Sequence, residues 1–151
     1  MAPHINYRSL FRTQLMAGVE TWRAEFNLTQ TNEHNQIRQS FGTRPPTYNP
    51  PLVFIGTVGE QFSHSASTKG DILTGSVVVV RGLYDKEEAV AWRDEAVWSL
   101  HEWLSQNKNQ VSSATLIEPI STEDIELPIG DDKFYLAGLV NVRLDIRFGT
   151  D

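Results

Sequence analysis

Residues 72–81 read Ile-Leu-Thr-Gly-Ser-Val-Val-Val-Val-Arg, and this stretch decides the fold. Its four consecutive valines, Val77 to Val80, are typical of a strand that is covered on both faces. Valine fits a pleated surface well, and no polar side chain in this block is available to face water. We therefore predict that residues 72–81 form the centre of a β-sheet and that other elements cover both of its faces.

A second strand is predicted at the end of the chain, where apolar and polar residues alternate strictly. The apolar set is Val140, Val142, Leu144, Ile146 and Phe148, and the polar set is Asn141, Arg143, Asp145 and Arg147. This strand should bury one face and expose the other. Further short strands are expected at Leu52 to Ile55, at 114–117 and at 125–127, with a break at Pro119 between the last two.

Two segments have the periodicity of amphipathic helices. Residues 9–26 place Phe11, Leu15, Val19, Trp22 and Phe26 on one side. A second helix should begin after Asp85, an N-cap candidate with Glu88 three residues on, and continue to Gln106. Together these patterns predict an α+β fold: a single domain over residues 1–151, with a mixed or antiparallel β-sheet packed against two amphipathic helices.

Two polar segments interrupt this pattern. Residues 27–51 include four prolines within Arg44 to Pro51 and are predicted to be irregular. They are either an arm that orders on a partner or a stiff, extended lead-in to the next strand. Residues 59–71 are predicted to form a polar loop or an extended hairpin arm.

Composition excludes several classes of protein. The 151 residues contain no cysteine, so a disulfide scaffold and a thiolate metal site are excluded. The formal charge of −6 argues against the basic surface that nonspecific nucleic-acid binding requires. No apolar run is long enough to span a membrane, and the first residues do not resemble a signal peptide.

No motif in the sequence predicts catalysis. The histidines His4, His34, His64 and His101 lack the spacing of metal ligands, and Ser63-His64-Ser65 lacks the surroundings of a serine nucleophile. Gly56-Thr57-Val58-Gly59 is too short for a phosphate-binding loop. We therefore expect no enzymatic activity, no metal and no cofactor.

Trp98 is the most informative single residue. At 100° per residue it falls on the side of the second helix opposite to Ala89, away from the predicted core. A large aromatic side chain there needs a cover, and aromatic residues are enriched at protein interfaces. That cover is either another subunit or residues 27–51 of the same chain. The third alternative is that the side chain is simply exposed.

The order of these motifs resembles the tail terminator, or tail-completion, proteins of long-tailed bacteriophages. The resemblance covers most of residues 9–148. It rests on the proline-rich lead-in to Leu52-Val53-Phe54-Ile55, Lys69-Gly70-Asp71 in the polar loop, Val77 to Val80 followed by Arg81-Gly82, Asp85-Lys86-Glu87-Glu88-Ala89, Arg93-Asp94-Glu95 and the alternating final strand.

The resemblance implies a structural virion protein located at the head-proximal end of the tail and assembled in the host cytoplasm. Such a protein forms a homohexameric ring that caps the tail-tube protein, ends tail elongation and presents a surface to a head-completion or connector protein. DNA passes through its lumen without specific binding, and no membrane is involved. Two alternatives remain open: a head-completion or neck protein below the portal, and a small α+β ligand-binding module with the proline-rich segment as its lid.

Two sets of residues are candidates for contacts in such a ring. The protomer contacts are expected at Trp98, Glu102, Arg143 and Arg147. The contacts with the tube or the lumen are expected from the arm, at Glu60, Phe62, His64, Lys69 and Asp71.

Overall fold

A mixed β-sheet and two helices make up the protein, whose computed structural model describes residues 6–64, 69–82, 86–106, 109–112, 115–130 and 133–148. The helices are α1 (Tyr7–Thr29) and α2 (Lys86–Gln106), and a short 3-10 turn covers Glu33–Asn35. The strands are β1 (Gln39–Phe41), β2 (Leu52–Ile55), β3 (Gly59–His64), β4 (Lys69–Arg81), β5 (Asn109–Ser112), β6 (Thr115–Gly130) and β7 (Lys133–Phe148). The predicted α+β class is confirmed.

The strand order in the sheet is β1-β2-β4-β7-β6-β5, and β3 pairs with the first half of β4. Strands β2 and β3 therefore lie along the same edge of β4, one after the other. β1 and β2 are parallel, whereas the other described pairs are antiparallel. The predicted central strand is β4, whose Val79 pairs with Val53 on one side and with Gly138 on the other.

Both helices pack on one face of the sheet. Their buried side chains meet those of the central strands in the main core, which includes Phe11, Leu15, Trp22, Leu100, Leu104, Val77, Val79, Val140, Val142 and Leu144. The alternation predicted for β7 is confirmed over the residues whose side chains are described, because Arg143 and Asp145 are exposed between these buried positions. The alternation of apolar and polar side chains along β7 thus determines which face of this strand packs against the helices.

The opposite face of the sheet has its own apolar cluster, formed by Leu52, Phe54, Val78, Val80 and Ala137. Tyr48 of the proline-rich segment packs against it, with its ring centroid 6.2 Å from that of Phe54 and 6.3 Å from that of Tyr135. All four consecutive valines of β4 are therefore buried, as predicted. A part of residues 27–51 accordingly acts as a cover for the sheet.

Two glycines let the helices approach the sheet closely. A Cβ atom at Gly75 would lie 3.0 Å from Cε1 of Phe11 in α1. At Gly138 a Cβ atom would collide with Cγ2 of Val97 in α2. The absence of side chains at these two positions fixes the spacing between the two layers.

Some predicted boundaries are wrong. The two short candidates at 115–117 and 125–127 belong to one strand, β6, and Pro119 shifts its register instead of ending it. Residues 27–51 are not wholly irregular, since they contain the 3-10 turn and β1. The described part of residues 59–71 agrees with the hairpin alternative, because β3 pairs antiparallel with the start of β4; residues 65–68 lie outside the described residues. Asp85 and Ala114 lie outside the described residues.

Candidate interaction surfaces

Trp98 is exposed on α2, with 61% of its surface accessible to solvent. The centroid of its ring lies 5.3 Å from that of His101. On the helix these two residues and Asp94 fall within about 60° of each other. The opposite flank of α2 contacts α1, where Trp22 donates a hydrogen bond to Ser99 at 3.0 Å. The Trp98 flank therefore faces away from α1.

Residues 27–51 do not cover Trp98, so the alternative of an intramolecular cover is wrong. The segment is held elsewhere: the Asn27 side chain makes two hydrogen bonds to the backbone of Ile37, at 2.9 and 2.8 Å. The backbone carbonyl of Asn35 accepts a hydrogen bond from Trp92 Nε1 at 2.8 Å. The segment thus packs on the buried tryptophan of α2 and leaves the exposed one uncovered.

Glu102 is also exposed on α2. Arg143 is half-exposed on β7 and forms an ion pair with Asp145 at 3.3 Å. It alternates with Val142 and Leu144, which face the helices, so it lies on the other face of the sheet. Trp98 and Arg143 are therefore on opposite faces of the protein and do not form one continuous patch. The side chain of Arg147 lies outside the described part.

The arm predicted at residues 59–71 is anchored to α1 at its base. Glu60 accepts from Arg8 Nη1 at 3.2 Å, and Arg8 Nη2 also donates to the carbonyl of Val58 at 3.1 Å. Glu60 therefore stabilises the hairpin within the protomer. In the register of the hairpin, Phe62 pairs with Asp71 and His64 with Lys69. The side chains of Phe62, His64, Lys69 and Asp71 lie outside the described residues.

Sequence reasoning missed a network around Arg93. This side chain is 12% exposed, and its Nη2 lies 3.2 Å from a carboxylate oxygen of Asp124 in β6. Its Nε lies 3.9 Å from Asp94 in the next position of α2. This network places Asp94 beside β6, whereas Trp98 lies about 140° from Arg93 around the helix and points away from the sheet. The signal in the sequence was Arg93-Asp94 alone, which does not identify Asp124.

Arg81, another residue that was missed, is 3% exposed at the end of β4. Its guanidinium lies 5.8 Å from the centroid of the Trp92 ring and donates to the carbonyl of Glu88 at 3.2 Å. Arg81 lines a cavity of about 200 Å³ with Asn32, His34 and Glu88. These contacts satisfy the buried cation and join β4 to the start of α2.

A larger and more open cavity of about 480 Å³ lies at the proline-rich segment. Its lining is formed by Arg44, Pro46, Thr47, Tyr48, Pro128 and Tyr135. Arg44 donates a hydrogen bond to the hydroxyl of Tyr48 and lies over its ring, with 5.6 Å from the guanidinium carbon to the centroid. The cavity therefore presents one cation and two aromatic rings.

Among the described residues, no group of three or more histidine or acidic side chains is placed to hold a metal ion. The same part of the chain has no helix with the length and apolar character needed to cross a membrane. The fold and surfaces define a small α+β protein with an uncovered aromatic side chain on α2 and a β3–β4 hairpin that continues the sheet. Comparison with family models and with curated proteins finds no match for the sequence.

Proposed function

We propose that this protein is a tail terminator of a long-tailed bacteriophage, which assembles as a hexameric ring, caps the tail tube and presents a surface for joining the head. It acts as a structural virion protein at the head-proximal end of the tail. The proposal rests on the resemblance of the motif order over residues 9–148 and on the surfaces described above.

The observation that carries the proposal is the exposure of Trp98. Burial of a tryptophan side chain is worth several kcal/mol, on the order of 25 cal/mol per Å² of apolar surface. With 61% of its surface accessible, most of this stabilisation is not realised within one chain. Contact with a second protein surface would supply it, and in a closed ring every protomer gains the same contact.

The β3–β4 hairpin supports a contact with the tail tube. Its base is held to α1 by the Arg8–Glu60 ion pair, so the hairpin is presented from a fixed position. The central strand β4 continues directly into it. A contact made by this hairpin would therefore be connected to the centre of the sheet by the single strand β4.

Native mass spectrometry over a concentration series, with negative-stain images of the same samples, tests the proposal. The samples contain the protein alone or with polymerised tail-tube protein of the same phage. We expect a hexameric ring with a central hole that binds one end of the tube. A monomer at every concentration, with and without tubes, would overturn the proposal. Binding to portal complexes but not to tubes would place the ring in the neck instead.

A second candidate function is favoured by the cavity at the proline-rich segment. Its volume of about 480 Å³ is in the range of small-molecule sites. Arg44 with Tyr48 and Tyr135 would suit an anionic ligand with an aromatic or apolar portion. Thermal melts of the wild type and of Arg44→Ala against a library of aromatic carboxylates test this function. Stabilisation of the wild type alone would favour it over the ring.

A further inference from the structure

The two edges of the sheet differ in charge. Residues 36–59, which include β1 and β2, contain Arg38 and Arg44 but no acidic residue. Arg12 of α1 adds a third guanidinium beside this edge, because it donates to the carbonyl of Gly42 just after β1. Of these, Arg12 and Arg38 form what we call the basic edge, whereas Arg44 lies in the cavity that it lines with Pro128 of β6 and Tyr135 of β7.

The opposite edge is acidic. Strand β6 contains Glu118, Glu123, Asp124 and Glu126 but neither lysine nor arginine. We call these four carboxylates the acidic edge. Arg93 lies beneath this edge and pairs with Asp124. Since Asp94 is exposed on the other side of Arg93, a further carboxylate adjoins the edge.

Both edges are open in the described part of the chain. β5 pairs with β6 only as far as Ile117, so the outer side of 118–130 has no neighbouring strand there. β1 likewise pairs only with β2 among the described strands. Open strand edges carry backbone groups that can bond to another chain. Pro119 and Pro128 bracket the open part of β6 and limit any such contact to the stretch between them.

Several side chains at these edges are available for an intermolecular contact. Arg38, Glu123 and Glu126 are exposed and have no ion-pair partner among the described residues. Ile120, also in β6, is 50% exposed. The acidic edge therefore carries one exposed apolar side chain, and a second, Trp98, is exposed on the side of α2 that faces away from the sheet.

We propose that the basic edge of one protomer docks against the acidic edge of the next, and that the same neighbour covers Trp98. This inference rests on the proposed ring and names the two surfaces that meet between neighbouring protomers. We call this contact the joint. The contact is heterologous, because each protomer offers different surfaces to its two neighbours. Charge complementarity then fixes the order and orientation of the protomers.

Charge reversal tests the joint. The acidic-edge variant is Glu123→Lys with Glu126→Lys, and the basic-edge variant is Arg12→Glu with Arg38→Glu. Each variant alone should raise the concentration for half-maximal ring assembly about tenfold or more, since attraction becomes repulsion at every joint. An equimolar mixture of the two should form rings that contain equal numbers of both, because opposite charges then face each other only when the variants alternate.

The matched control is Glu20→Lys with Glu25→Lys on α1, which changes the net charge as much as the acidic-edge variant does. Native mass spectrometry reads the composition of each ring, and circular dichroism checks that each variant folds. If a reversal variant does not fold, Glu123→Gln with Glu126→Gln replaces it, with a smaller expected effect of about threefold.

The outcomes separate this inference from the proposed function. If the wild type forms rings and both reversal variants form them equally well, the proposed contact between the two edges is wrong. The proposal that the protein is a tail terminator would not be affected. Failure of the mixture to assemble, when each variant is folded, would also overturn the joint. A wild type that forms no ring, even with tail tubes, would overturn the proposed function and the joint together.

Discussion

The guanidinium of Arg93 lies 3.2 Å from the carboxylate of Asp124 and thereby joins α2 to β6. The stem of the same arginine packs over Gly138, where an added Cβ atom would lie 3.2 Å from Cγ of Arg93. One side chain therefore contacts two strands of the sheet. This contact adds to the buried apolar side chains that hold α2 on the sheet.

A double-mutant cycle on Arg93→Met and Asp124→Asn measures the strength of the ion pair between these two residues. Methionine keeps most of the buried stem and removes the charge. We expect a coupling free energy of about 0.5–1 kcal/mol, because the carboxylate is mostly exposed. Urea unfolding of the four proteins gives the value, and it should decrease in 1 M NaCl. Strictly additive effects would show that the pair contributes nothing.

Gly138→Ala should destabilise the protein by about 1–3 kcal/mol, because the new methyl group collides with Val97 in α2. Val97→Ala in the same chain should restore part of this loss. Gly59→Ala is the matched control, since its Cβ would lie at an ordinary 3.5 Å from Thr74 Oγ1. Equal effects of the two alanines in urea unfolding would contradict the close packing at Gly138.

Trp98→Glu should leave the free energy of unfolding within about 0.5 kcal/mol of the wild type, because the residue is exposed. Ring assembly should be lost, since the uncovered aromatic surface is replaced by a charge. Ala24→Glu adds the same charge at an exposed position of α1 and serves as the control. Sedimentation velocity checks both, and an unchanged ring in Trp98→Glu would remove this flank from the joint.

The arm can be shortened while its base is kept, and the change also removes the residues that pair with Ile146, Arg147 and Phe148 at the end of β7. Gln61 and Ile72 pair directly in the hairpin, so residues 62–71 can be replaced by Asn-Gly, which favours a two-residue turn. The Arg8–Glu60 ion pair is kept. We expect a folded protein that forms rings but binds tail tubes at least about tenfold more weakly in a pelleting assay. Full capping by the shortened protein would contradict the role of the arm.

The sequence predicted the elements whose signal is local. Val77 to Val80 marked the central strand because a block of valines has few other stable environments, and the helical period separated Trp98 from the core. β6 was predicted as two fragments because its residues are acidic and its prolines interrupt the pattern. A strand of this kind is stabilised by its pairing with β7, which a local pattern does not contain.

The candidate site was less predictable than the fold. Arg8 and Glu60 are 52 positions apart, so the engagement of Glu60 within the protomer could not be inferred from its surroundings in the sequence. The charges of the sheet edges were present in the sequence. Their meaning depends on strand order, which separates β1 from β6 by the strands β2, β4 and β7.

The pairing of β4 with β7 also has a consequence for biosynthesis. Lys69 lies opposite Phe148 and Arg81 opposite Leu136, so the two central strands are far apart along the chain. On the ribosome, β2, β4 and both helices emerge before the strand that completes their core. Closing such a long loop is slow, and the exposed valines of β4 are prone to aggregation in the meantime. Chaperone binding to the nascent chain should therefore end only when β7 has emerged.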